Sequence, residues 1–235
     1  MTDLLLAVRN LSVQQGHRQA FRGVSFDLRA GQALGVAGAN GAGKSALLRA
    51  LIGGLRAVEG DVRINGRLPK HALARTPTAY FAGEATLPGF ARASAWGSLG
   101  TGEAVTPERR RIRTLPRSAR QLLGLRTELG RHPLALVILD EPWEGLDHDA
   151  ARWLNTTLET KRDRGAAVVV SSRRLEDLAG FCDKYLFLTS FAPLLFSAQQ
   201  IDPRGRVDAR RLAEVFDAIR SDPTAALTWP RAHPP

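Results

Sequence analysis

Three glycines, a lysine and a serine in GANGAGKSALL, residues 38–48, have the types and spacing to hold a row of phosphates. Gly38, Gly41 and Gly43 let the main chain wrap an anion with its N–H groups, with Asn40 and Ala42 completing the loop. Lys44 reaches the outer phosphates, Ser45 offers a hydroxyl to magnesium, and a helix starting here adds a partial positive charge. The stretch fits GxxxxGK followed by Ser or Thr throughout. A second stretch, LVILDEP, residues 136–142, ends an apolar run in two carboxylates. Asp140 would orient magnesium through its water shell, and Glu141 would polarise a water for attack on a terminal phosphate. Alone, such a pair is more often a helix cap; beside the phosphate loop it becomes the second half of a cleavage site.

These groups need rigid carriers. ALGVA before the loop reads as a buried strand, and the apolar spacing over residues 46–55 as a helix. Short apolar runs between turn residues predict strands at 4–8, 24–28 and 33–37 and a small hairpin around DVRING. Helical spacing recurs at 122–129, 152–160 and 211–219, and compact leucine or β-branched runs at 136–139, 167–170 and 185–188. Buried runs separated by helices belong to a parallel sheet covered on both faces. The expectation is an α/β fold with a mostly parallel sheet and an N-terminal antiparallel β element. No strand signal appears over residues 84–131, which read as a mostly helical insertion. One domain over residues 1–220 and an irregular, proline-containing tail over 221–235 account for the chain.

Composition sets broad limits. With 235 residues, 44% hydrophobic and 24% charged, the chain is ordinary for a globular domain. The net charge of +10 favours acidic partners, whether nucleic acid, anionic lipid or an acidic protein surface, and does not choose among them. Arginine is densest in ERRRIRTLPRSAR, which could equally be a solvated helix face. No run approaches the 18 or so apolar residues of a spanning helix, and MTDLLLAVRN lacks the basic start of an export signal. The single cysteine, Cys182, has the apolar flanks of a packed thiol, which fits a reducing cytoplasm.

The order of VRNLSVQQGHRQAFRGVSFDLRAGQALGVAGANGAGKSALLRALIGGLRAVEGDVRINGR, LLGLRTEL, LVILDEPWEGLD, VVVSSRRLED and CDKYLFL resembles the ATP-binding subunits of ATP-binding cassette (ABC) transporters over nearly the whole chain. The resemblance implies a P-loop nucleoside triphosphatase core that binds ATP and Mg2+. It also implies two such domains face to face, as a homo- or heterodimer, each ATP lying between the phosphate loop of one and a signature element of the other. Membrane-spanning partner chains would hold the domains on the inner face of the cell membrane. Asp147, in EGLD, falls at the dimer interface by the same resemblance, and ARRLAEVFDAIRSD resembles the endings of drug-exporter-type members.

Several positions depart from the family pattern. The signature, normally Leu-Ser-Gly-Gly-Gln, would be Leu115, Pro116, Arg117, Ser118 and Ala119. Pro116 lacks a backbone donor, and Arg117 puts a long side chain where bare backbone should approach the partner's γ-phosphate. The switch histidine falls on Arg173, which cannot carry protons at neutral pH. It could lie against the γ-phosphate as a fixed cation, hold Glu141 in an ion pair, or face solvent. Gly83 replaces a magnesium-binding glutamine, and Glu84 would substitute as a metal ligand only if its loop shifts. Gln15 takes the place of the aromatic that stacks on adenine, and Ala46 that of a threonine at the α-phosphate. The stretch over residues 83–115 is shorter than the family's helical subdomain.

Losing one preorganised transition-state donor costs on the order of a hundredfold to a thousandfold in rate. The expectation is therefore intact phosphate binding with impaired cleavage: a slow ATPase subunit of an export complex. The alternative is a catalytically weak scaffold using ATP as a dimerisation ligand. An ATPase acting on nucleic acid rests on charge alone and lacks an aromatic-rich basic platform.

Overall fold

In LLLAVRNLSVQQ the apolar alternation slips by one at Arg9–Asn10, so that Leu6 and Val8 before the slip and Leu11 and Val13 after it share one buried face. A computed structural model, which describes residues 3–101, 109–131, 133–189 and 192–221, shows how. Asn10 takes a positive φ of 45°, the register shifts between Val8 and Leu11, and the Asn10 N–H donates to Ser25 Oγ at 2.8 Å. The bulge lets one strand, β1 (Leu4–Gln15), run more than twice as far as the expected 4–8. It pairs antiparallel with β2 (Arg18–Arg29).

β3 (Ala33–Ala37) enters the phosphate loop and α1 (Lys44–Leu51) leaves it, ending short of the predicted residue 55. β4 (Ala57–Ile64) corrects the expected hairpin around DVRING. Its partner is β1, giving the order β2-β1-β4, and the Asn65-Gly66 turn closes only an isolated Ile64–Arg67 bridge. Both turn residues have positive φ, as a tight two-residue turn requires, but no strand follows.

After α2 (Pro69–Ala72), β5 (Thr78–Phe81) leads into the insertion. Its described part holds α3 (Ala93–Thr101), short 3-10 turns and an isolated Arg92–Arg111 bridge; residues 102–108 of the expected helical insertion lie outside the described residues. α4 (Arg117–Gly130) returns the chain to the sheet, packed so closely that a Cβ on Gly124 would overlap the Phe81 ring.

β6 (Leu136–Leu139), α5 (His148–Asp163), β7 (Ala167–Ser172) and β8 (Lys184–Leu188) follow. β9 (Pro193–Ser197), α6 (Ala198–Ile201) and α7 (Ala209–Ser221) complete the described chain, while residues 222–235 of the predicted tail lie outside it. The main sheet has the order β5-β6-β7-β3-β8-β9, parallel except for β9. Only part of β9 is buried, so it lacks the apolar run that marks the central strands.

Alternation on the central strands divides the core in two. Ala33 and Ala37 of β3 join Val168 and Val170 against α4, α5 and α7, while Leu34 and Val36 join Val169 against α1 and the antiparallel sheet. Both faces are buried, hence the continuous apolar runs. Cys182 is buried beside Gly35, and desolvation pushes its thiol pKa well above the ordinary range, so it packs rather than reacts.

Candidate functional site

The phosphate loop is a strand-to-helix turn whose shape depends on Gly43. This residue caps α1 with φ +98°, and a Cβ there would lie 2.7 Å from the Ala20 carbonyl oxygen. Any side chain would meet both the left-handed backbone penalty and a fixed carbonyl. The first intrahelical bond runs from the Leu47 N–H to the Gly43 carbonyl at 2.9 Å, so the N–H groups of Lys44, Ser45 and Ala46 precede it. The first turn carries no acidic side chain, leaving its positive end uncompensated.

Lys44 is buried, and its Nζ donates to the carbonyls of Gly38 at 2.7 Å and Ala39 at 3.3 Å. It also lies 3.1 Å from Glu141 Oε1. A cavity of about 500 Å³ opens over residues 40–46, with Gln15, Arg18 and Ala20 on one side and Glu141, Glu144 and Arg173 on the other.

The carboxylates at the end of β6 are held differently. Asp140 is 9% exposed, accepts from Ser171 Oγ at 2.5 Å, and is not among the residues lining the cavity. The same Ser171 hydroxyl accepts from the Glu141 N–H at 3.0 Å, fixing both residues to β7. Glu141 has φ 45°, a left-handed conformation costly for a residue of its kind. Its geometry is over-determined. Gln121 Nε2 donates to the carbonyls of Glu141 at 3.3 Å and Pro142 at 3.1 Å, and the Arg173 N–H donates to Glu141 Oε2 at 3.0 Å. Trp143, largely buried, adds an indole bond to Asn155 Oδ1 on α5 at 2.7 Å.

Arg173 does not face solvent alone. Its Nε lies 3.8 Å from Glu141 Oε2 and one terminal nitrogen 3.2 Å from Glu144 Oε2. Next to it, burial pushes the Asp177 carboxyl above the usual range, while the Ser172 hydroxyl, donating at 2.7 Å, pulls it back.

Glu84, expected to serve as a metal ligand only if its loop shifts, lies away from the cavity. Its carboxylate is taken by Arg120 Nε at 2.9 Å and Arg117 Nε at 3.3 Å, its N–H donates to Gln121 Oε1 at 3.1 Å, and it does not line the cavity. Two arginines occupy the oxygens that a cation would need. Gly83, at φ +92°, turns the chain into this arrangement.

Of the five residues that the resemblance would put at the signature, Pro116, Arg117 and Ser118 are exposed at the start of α4. Leu115 is buried and half-buried Ala119 packs beside it, both in a small cluster with Ala93, Ile112 and Leu123. Arg117 reaches back across the same chain, 2.9 Å from Glu144 Oε1. Asp147 caps α5, accepting from the Ala150 N–H at 2.8 Å.

Sequence reading missed Glu144, Gln121, Ser171 and Arg18. Gln121 and Ser171 are buried polar residues, 3% and 0% exposed, whose partners lie on other elements. Only the charge in EPWEGLD hinted at Glu144.

With strand, loop, helix and carboxylates in this arrangement, the model of the ABC transporter family matches residues 21–144, more than half the chain. The chain belongs to the ABC transporter family. Its core is thus that of a P-loop ATPase. Among relatives of this ABC protein is the hemin import ATP-binding protein HmuV of Pseudomonas aeruginosa, 31% identical over 83% of this chain and 88% of the relative. Another is the SkfA peptide export ATP-binding protein SkfE of Bacillus subtilis, 29% identical over 78% of this chain and 85% of the relative. A solved ATP-binding subunit of an ABC transporter superposes with a TM-score of 0.75 at 20% identity, covering 90% of this chain and 98% of that one, a likeness of fold. Among the described residues no helix is long and apolar enough to cross a membrane, and no cluster of His, Cys, Asp or Glu forms a metal cage.

Proposed function

We propose that this chain is an ATP-binding, slowly hydrolysing subunit of an ABC-type export complex, acting with separate membrane-spanning chains at the cytoplasmic face of the membrane. One observation carries the reading: Lys44 Nζ and an uncompensated helix start meet Glu141 across one cavity. The cradle suits a triphosphate, because the position of a side chain at Gly41 is open and the N–H groups of Lys44, Ser45 and Ala46 precede the first intrahelical bond. Lys44, now held by two carbonyls and Glu141, would exchange those contacts for phosphate oxygens.

Magnesium, when bound, would offset phosphate charge; Ser45 would give it a hydroxyl and Asp140 would act on it through water. With no carboxylate cage nearby, phosphate and water would complete its shell. Glu141 would accept the proton of the attacking water. Its carboxylate is shared with Lys44, the Arg173 N–H and the Arg173 guanidinium, contacts with which an attacking water must compete, and this supports slow turnover. Gln15, Arg18 and Ala20 form the side of the cavity left for the base, which no aromatic residue lines.

Export is supported by the resemblance of ARRLAEVFDAIRSD, residues 209–222 of the sequence, to drug-exporter-type members; relatives are named for both directions. Exposed Arg117 and Ser118 would face the second domain of a dimer. Calorimetry with ATP and magnesium tests the reading: binding is expected, and its absence would remove it.

The scaffold reading, with ATP as a structural ligand, is favoured by the cations set against Glu141. Turnover of the native chain beside Glu141→Gln separates the two. Equal rates would select the scaffold.

A further inference from the structure

Glu144 lies one turn beyond Glu141, its N–H donating to the Glu141 carbonyl at 3.1 Å, and its side chain lines the same cavity. Its two oxygens hold two different arginines. Arg117, at the start of α4, meets Oε1 at 2.9 Å, and Arg173, after β7, meets Oε2 at 3.2 Å. The resemblance would put both at positions altered from the family's pattern. In sequence they are unrelated; in space one carboxylate joins them.

The Arg173 guanidinium is shared between two carboxylates on unequal terms. It sits within hydrogen-bonding distance of Glu144 but 3.8 Å from Glu141, where attraction is electrostatic only. Glu141 is the more buried, with a side chain 22% exposed against 34% for Glu144, so at equal distance it would be the stronger attractor. Lys44 already offsets part of the Glu141 charge at 3.1 Å, and Glu144, 3.2 Å from Arg173, supplies the attraction that holds the guanidinium away from Glu141.

We infer that Glu144 is a positioning residue that competes with Glu141 for Arg173. It holds the guanidinium at the outer edge of the base and so sets how much of the Glu141 charge is left to polarise water. Arg117 regulates the competition by occupying the other oxygen of Glu144. The inference rests on the ATPase reading above and adds the control of its base.

The test is a double-mutant cycle on the full chain. Steady-state ATP turnover at saturating nucleotide and calorimetric affinity for a non-hydrolysable ATP analogue are measured for the native protein, Glu144→Gln, Arg173→Ala and the double variant. Neutralising Glu144 lets Arg173 move onto Glu141, so kcat falls about fivefold. Analogue affinity rises about twofold, because a negative charge has left the cavity. In the Arg173→Ala background the same substitution leaves kcat unchanged. Glu144→Asp, which keeps the charge on a shorter arm, gives an intermediate kcat and carries the same test if the glutamine variant does not fold.

An unchanged kcat in Glu144→Gln, an equal fall in both backgrounds, or a fall in affinity together with kcat overturns the inference. Failure of the parent reading shows separately, as no turnover by the native chain. That result removes the inference as well, since no base is then at work.

Discussion

Along residues 40–46 the cavity is built from main chain, a helix start and one buried lysine, whereas its opposite rim is held by side-chain ions from three separate segments. The cradle's geometry is fixed by Gly43 lying against the Ala20 carbonyl and by the sheet under β3, which has strands on both sides. The rim depends on Arg117, Glu144 and Arg173, whose side chains are 61%, 34% and 43% exposed. Pairs that exposed are worth about 0.2–1 kcal/mol each and weaken with salt. On the proposed function, binding falls to the rigid region and control of hydrolysis to the adjustable one.

Substitutions on the two sides should therefore fail in different ways. The largest effect is expected for Glu141→Gln, which removes the base and lowers turnover about a hundredfold, with ATP affinity kept, in a steady-state assay beside calorimetry. Lys44→Ala does the reverse. It removes a donor to the outer phosphates, a loss of about 1.5–3 kcal/mol that weakens magnesium-dependent ATP binding about tenfold to a hundredfold. Gly43→Ala would place a methyl against the Ala20 carbonyl at positive φ. Strain of about 1–2 kcal/mol should weaken ATP about tenfold and lower Tm by several degrees, read by calorimetry and thermal melting. A Gly43→Ala chain that bound ATP normally would show the cradle to be less rigid than its packing indicates.

The same division governed what the sequence made legible. β3, the loop, α1 and β6 each form from contiguous residues whose pattern carries its own reason, so the main-chain half of the site could be read directly. The ion pairs could not, because Arg117 and Glu144 lie 27 positions apart and meet only when α4 docks beside β5 through Gly124. The pairing of Glu84 with arginines was hidden for a related reason. Those arginines, Arg117 and Arg120, come from a helix whose approach no local pattern announces. The run-on of β1 was hidden by the Asn10 bulge, which resets the alternation that a strand reading follows. The edge strand β9 was hidden by its partial burial.

The smallest expected effect is the most informative about the rim. In Arg173→Ala the guanidinium leaves Glu141, the carboxylate is less offset by a cation, and turnover rises about threefold while ATP affinity falls about twofold, a positive charge having left the cavity. Were Arg173 instead a fixed cation on the γ-phosphate, the same change would lower turnover, so the sign of the effect decides its role. Salt provides an independent check, because the Debye length shrinks from about 10 Å at 0.1 M to about 3 Å at 1 M. The gain in Arg173→Ala should fade as salt is added to both proteins, the native guanidinium being screened from Glu141 without any mutation. The Gly43→Ala defect should persist across the same range, since strain against a carbonyl is steric and unaffected by ions. A gain that survives high salt would mean that the Arg173 side chain acts through the packing around Glu141, and the contrast between a steric cradle and an electrostatic rim would no longer hold.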